Sequence, residues 1–165
     1  MAMRTWDRYD SCREFLEAVR SHALDARRLR GRLARMAASE GARAASLTSS
    51  HGGTGDVSGM ARTDARIDLE AQWADRLADD DAHVADLREL CYGAGGHDGI
   101  AALRDPAVAD AIWFRFGRCK TWADVSGIIG YGVRWCQDRT CTACEAVDFV
   151  GFERAADGVG HATED

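Results

Sequence analysis

The sequence predicts an all-α fold: a long antiparallel helical hairpin followed by a C-terminal tri-helical helix-turn-helix. Three observations predict it. A single proline, Pro106, leaves long stretches free to run as helix. Alanine and arginine, both good helix formers, are abundant. Val, Ile and Thr never gather into the alternating run that marks a strand.

The first predicted helix covers about Thr5 to Ala38. Tyr9, Cys12, Leu16, Val19, Ala23, Ala26, Leu29, Leu33 and Met36 recur by threes and fours, which puts them on one stripe. Arg13, Arg20, Arg27, Arg28, Arg30, Arg32 and Arg35 occupy the other faces. The Gly/Ser/Thr-rich stretch from Gly41 to Arg62 has no period and reads as a loop. A second helix is expected from Thr63 to Cys91. Its stripe runs through Ile67, Ala71, Ala74, Leu77, Val84, Leu87 and Cys91, with Asp81 as an interruption. This helix is acidic, so opposite charges would flank the seam of a hairpin spanning residues 1–92.

Residues 93–104, opening on a glycine-rich stretch, read as a connector; the stretch lacks the Gly-Lys-Ser/Thr of a phosphate loop. Asp105-Pro106 is a strong helix start, a capping Asp followed by Pro at the first helical position. Val108, Ile112, Trp113 and Phe116 give that helix its apolar face, and it should stop near Gly117. Thr121 and Asp124 have the spacing of a capping box for a short helix buried through Trp122, Val125 and Ile129. Gly130-Tyr131-Gly132 makes the turn. A last helix, Val133 to Phe149, would turn Cys136, Thr140, Ala143 and Val147 inward and Arg134, Gln137, Asp138 and Cys141 outward. The helix-turn-helix thus spans 105–150, and residues 151–165 read as a frayed tail.

In such a motif the last helix enters the major groove of double-stranded DNA. Arg134 and Gln137 have the chemistry to read guanine and adenine edges. Arg115, Arg118, Lys120 and Arg139 are candidates for phosphate contacts. A net charge of −6 runs against nucleic-acid binding, but the charge is segregated along the chain.

Leu103-Arg104-Asp105, Trp113-Phe114-Arg115-Phe116, Thr121-Trp122-Ala123-Asp124-Val125 and Ile129-Gly130-Tyr131-Gly132 resemble region four of bacterial sigma factors. They are closer still to the small sigma-like regulators of phages and prophages. The resemblance implies that Gly132, Val133, Arg134, Gln137 and Asp138, at the start of the last helix, contact DNA. Gly132 stands where Ser usually caps that helix. The hairpin is then expected to contact RNA polymerase or a second copy of the chain as a homodimer. The competing reading is a helical adaptor that binds only protein.

The N-terminus lacks the apolar core of a signal peptide, and no stretch approaches the roughly 18 apolar residues of a membrane span. A cytoplasmic protein with six reduced cysteines is the expectation. Cys136, Cys141 and Cys144 are spaced C-x4-C-x2-C, but a continuous helix does not converge them on one metal. His22, His51, His83, His97 and His161 look scattered. No catalytic pair or nucleophile stands out, so neither enzyme activity nor a cofactor or metal is expected.

Overall fold

The computed structural model describes residues 3–48 and 57–158. Among these it is helical throughout, without strands. The elements are α1 (Cys12–Thr48), α2 (Val57–Tyr92), α3 (Gly99–Leu103), α4 (Pro106–Ile112), α5 (Trp122–Ile129), α6 (Val133–Val150) and α7 (Phe152–Ala156). A 3-10 turn, Thr5–Arg8, precedes α1, and a π turn, Trp113–Gly117, extends α4. No helix among the described residues is long and apolar enough to cross a membrane.

The chain divides into two compact units, Met1–Leu24 with Asp80–Asp165, and Asp25–Asp79. The division falls inside the two long helices, between Leu24 and Asp25 and between Asp79 and Asp80.

The Asp25–Asp79 unit pairs the later part of α1 with the earlier part of α2. Asp25 meets Arg76 at 3.1 Å, the Arg32 guanidinium lies 5.3 Å from the Trp73 ring centre, and Glu40 meets Arg66 at 3.0 Å. Each step forward on α1 is a step back on α2, so the two segments run antiparallel. The ion pairs across this seam reverse the expected polarity: the acids, Asp25 and Glu40, are on α1 and the arginines, Arg76 and Arg66, on α2. Of its described side chains only Ala26 is fully buried; Leu29, Leu33, Met36, Leu69, Trp73 and Leu77 are half-buried. The stripe on α2 therefore differs from the expected one. Ile67, Ala71 and Ala74 face solvent, and the inward line is Leu69, Trp73 and Leu77.

The helices also reach further than expected. Backbone helix continues over 41–48 and resumes at Val57, so residues 41–62 are not one loop; residues 49–56 lie outside the described part. At the other end α1 starts at Cys12 rather than Thr5. The Ser11 hydroxyl accepts the Glu14 N–H at 3.3 Å and caps the helix there.

The other unit holds the main core. Trp6, Phe15, Leu16, Val19, Leu87, Leu90, Cys91, Ile100, Ile112 and Val147 are all fully buried in one cluster. The expected connector contributes to it: α3 buries Ile100 and Leu103. Gly99, which opens α3, has φ +68, and a Cβ there would lie 2.6 Å from the Leu90 carbonyl oxygen. The close approach of backbone to α2 requires glycine. The expected tail contributes too. Phe152 stacks on Trp6 with ring centres 6.0 Å apart and meets Phe15 edge-on at 5.6 Å, while Ala155 and Ala156 are buried. Residues 152–156 are thus a packed helix, and aromatic pairs of this kind add roughly 0.5–1.5 kcal/mol each beyond their buried area.

Candidate functional site

Within this unit α4, α5 and α6 contact one another pairwise. A small cluster of Ala111, Val125 and Cys136, one from each helix, lies at their junction, with Phe114, Trp122, Ile129 and Trp135 packed around it.

Local chemistry sets each element. The Asp105 carboxylate accepts the Ala107 N–H at 2.7 Å and Pro106 begins α4. Thr121 and Asp124 form the capping box. The Thr121 hydroxyl accepts the Asp124 N–H at 3.1 Å and donates to Asp124 Oδ2 at 2.7 Å, while the Thr121 N–H donates to the same oxygen at 3.1 Å. These two bonds from Thr121 hold the Asp124 carboxyl below its ordinary range. Helix α5 ends on Gly130, in the left-handed region at φ +78, ψ +14. The Ser126 hydroxyl closes the turn by donating to the Tyr131 carbonyl at 2.6 Å. Gly132, extended at φ −63, ψ 152, starts α6 without a side-chain cap.

Helix α6 buries Cys136, Thr140, Ala143, Cys144 and Val147. Its first turns are open: Gly132, Val133, Arg134, Gln137, Asp138 and Arg139 are all exposed. Arg134, whose side chain is 94% exposed, lies 3.7 Å from Asp138. Arg139 sits over the Trp135 ring, 5.9 Å from its centre, and Trp135 stacks on Tyr131 at 4.0 Å. Arg104, Tyr131, Trp135, Arg139 and Thr142 line an open groove of about 400 Å³.

The other expected phosphate contacts are placed differently. Arg115 serves its own fold. Its guanidinium lies 5.1 Å from the Trp122 ring centre and donates to the Lys120 carbonyl at 2.9 Å. Burial, then the charge of Arg20, lowers its pKa. Arg118 is exposed but lies over Trp113, in a recess shared with Arg88, Glu89 and Tyr92. Lys120 is exposed immediately before the α5 cap. Gly132 and the five residues that follow on α6 thus share one exposed segment, whereas Arg115 is engaged by Trp122 and the Lys120 carbonyl and Arg118 lies over Trp113.

The cysteines of α6 do not converge. Cys136 and Cys144 are buried and Cys141 is exposed. Cys144 is instead buried beside Cys12, and this neighbour and burial hold the Cys12 thiol well above its usual value.

A second constellation lies away from α6. His22 on α1 and His83 on α2 stack face to face, with ring centres 3.8 Å apart and planes at 16°. His22 Nδ1 is 2.6 Å from Asp80 Oδ1, and the Tyr9 hydroxyl is 3.0 Å from His83 Nε2. Asp80 is 2% exposed and His83 fully buried. Sequence reasoning treats these histidines as scattered and marks Asp81 as the break in the stripe. The buried residue is Asp80; Asp81 faces solvent. The signal was present: Trp73, Leu77, Asp80, Val84, Leu87 and Cys91 keep the 3-4 spacing, so Asp80 falls on the buried line.

The chain matches no family model, no curated protein and no solved structure.

Proposed function

We propose that this protein is a sequence-specific DNA-binding transcription regulator, with α4, α5 and α6 as a helix-turn-helix and α6 as its recognition helix. The observation that carries the reading is the open start of α6. Arg134 and Gln137 are exposed on its first two turns, just past a left-handed glycine turn. A helix presented in this way fits a major groove, and these side chains suit base edges. Arg139, Lys120 and Arg104 are the exposed cations for flanking phosphates. The resemblance to sigma factor region four supports the same assignment, and RNA polymerase or a second copy of the chain are the protein partners that accord with it.

The test is selection from random duplex DNA by the purified full chain, repeated across a salt series. One enriched sequence, with affinity falling steeply as salt rises, is the expected result. Absence of enrichment at low salt overturns the reading.

A protein-only adaptor is the second reading, and one observation favours it. Ile128, Tyr131 and Val133, on and beside the turn, are exposed at 50%, 45% and 37%. An apolar rim of this kind suits a protein surface. Retention of RNA polymerase by a chain that selects no DNA sequence is the outcome this reading predicts.

A further inference from the structure

A groove of about 430 Å³ runs between the start of α1 and one face of α6, wholly within the unit formed by Met1–Leu24 and Asp80–Asp165. Its volume is that of a small-molecule site. On α6 it is bordered by Gln137, Thr140, Cys141, Cys144, Glu145 and Asp148, a single helical face about 16 Å long. An elongated ligand suits such a shape, whether or not α6 meets DNA.

The chemistry of the groove changes along its length. Trp122 packs against the cluster around Cys136, which places it at the Gln137 end, and Phe116 meets it edge-on with ring centres 6.2 Å apart. Leu16 and Cys144 extend the apolar floor. At the other end two carboxylates, Glu145 and Asp148, stand against one guanidinium, that of Arg13. Asp148 gives Oδ1 to the Cys12 N–H at 2.6 Å, which fixes this carboxylate at the end of the groove. Glu17, the third carboxylate along the groove, offsets the charge of Arg115 beside it. Thr140 lies between the two ends. It is 6% exposed, and its hydroxyl oxygen is buried with no hydrogen-bond partner among the described residues. A buried hydroxyl in a helix ordinarily bonds the carbonyl one turn back, as Thr142 does with Asp138 at 3.0 Å. A hydroxyl left unmatched on the wall of a groove is a point that a ligand's polar group completes.

We propose that this groove binds a small aromatic amine, with the ring against Phe116 and Trp122, a ring N–H donating to the Thr140 hydroxyl, and the ammonium at Glu145 and Asp148. Thr140 and Glu145 are about 7.5 Å apart along the helix axis, a span that an ethylamine chain on a bicyclic ring covers. A neutral hydrocarbon would leave the Thr140 hydroxyl unmatched, and an anion would meet the surplus carboxylate.

The test is calorimetric titration of the full chain with tryptamine, whose ring N–H and ammonium match the two polar points, and with indolepropionate, which has the same ring and a carboxylate in place of the amine. Saturable binding of one tryptamine per chain is expected, weakening as salt rises, while indolepropionate fails to compete. Thr140→Val keeps the shape and removes the unmatched hydroxyl. It should hold or raise the Tm and yet weaken tryptamine about threefold to tenfold, a pairing that a purely structural Thr140 would not produce. Glu145 is exposed, so Glu145→Gln should leave the Tm near the parent's and weaken tryptamine about twofold to fivefold. Three results overturn the proposal: no saturable binding of tryptamine, equal binding of the two probes, or unchanged tryptamine affinity in both Thr140→Val and Glu145→Gln.

Discussion

Asp86 Oδ2 accepts two hydrogen bonds from Thr5, one from the backbone N–H and one from the hydroxyl, each 2.7 Å long. Its other oxygen meets Arg4 at 3.1 Å. Both Thr5 and Asp86 are buried, so this carboxylate anchors the N-terminal turn to α2. Removing it leaves the Thr5 donors buried and unmatched. Asp86→Ala should therefore cost about 3 kcal/mol or more in urea denaturation. Asp86→Asn keeps an acceptor oxygen and should lose less. A loss below about 1 kcal/mol in the alanine variant, the level of an ordinary surface change, would show that the anchor contributes nothing special.

The capping box at Thr121 makes a prediction about pH. Asp124 is held below its ordinary value of 3.8 by the Thr121 hydroxyl and N–H. A depressed folded pKa stabilises the folded state above the unfolded value, and that contribution is lost as pH falls through the folded one. Thr121→Ala removes the hydroxyl and should cost about 1 kcal/mol at neutral pH, the usual loss for a cap. The gap between parent and variant should stay constant down to about pH 4 and narrow on further acidification. Urea midpoints measured from neutral pH to pH 3 decide it: a gap that widens on acidification would contradict the assigned direction.

Much of the architecture was legible because its signals are local. Asp105-Pro106 and the Thr121–Asp124 spacing announce α4 and α5 through caps that need no distant partner. The period of α6 gives its buried face correctly at Cys136, Thr140, Ala143 and Val147. What stayed hidden depends on tertiary contact. The five-residue helices α3 and α7 are too short to show a period, and α7 exists because Phe152 finds Trp6 and Phe15. Arg115 looks like any exposed arginine until Trp122 and the Lys120 carbonyl occupy its guanidinium. Asp80 and His83 disappear into an acidic run; only the pairing of α1 with α2 in this unit brings His22 against them.

The turn between α5 and α6 contains two glycines with different duties. Gly130 has φ +78, and no heavy atom lies within 4 Å of an added Cβ. Space is therefore free and only backbone strain opposes a side chain, which in the left-handed region costs about 1–2 kcal/mol. Gly132 has an ordinary extended backbone and equally open surroundings. Gly130→Ala should lower the urea midpoint by that amount, whereas Gly132→Ser should be neutral or stabilising by a few tenths of a kcal/mol, since Ser caps slightly better than Gly. Equal losses at the two positions would mean that the turn is not governed by the left-handed residue.

The exposed arginines of α6 separate specificity from attraction. On the proposed reading Arg134 contacts a base edge, and its pairing with Asp138 at 3.7 Å, between two exposed side chains, is weak enough to be exchanged for DNA. Arg134→Ala should weaken binding to the selected sequence by about 1–3 kcal/mol and relax preference at one base pair, while the dependence on salt changes little. Lys120→Ala and Arg139→Ala should weaken all sequences alike and each reduce the slope of log affinity against log salt by about 1. Arg115→Ala should act otherwise, lowering stability through lost packing on Trp122 before it changes the salt slope. Fluorescence anisotropy with the selected duplex and a scrambled one, at several salt concentrations, measures all four. An Arg134 variant that binds the selected duplex as tightly as the parent would remove that residue from the interface, and with it the principal support for α6 as a recognition helix.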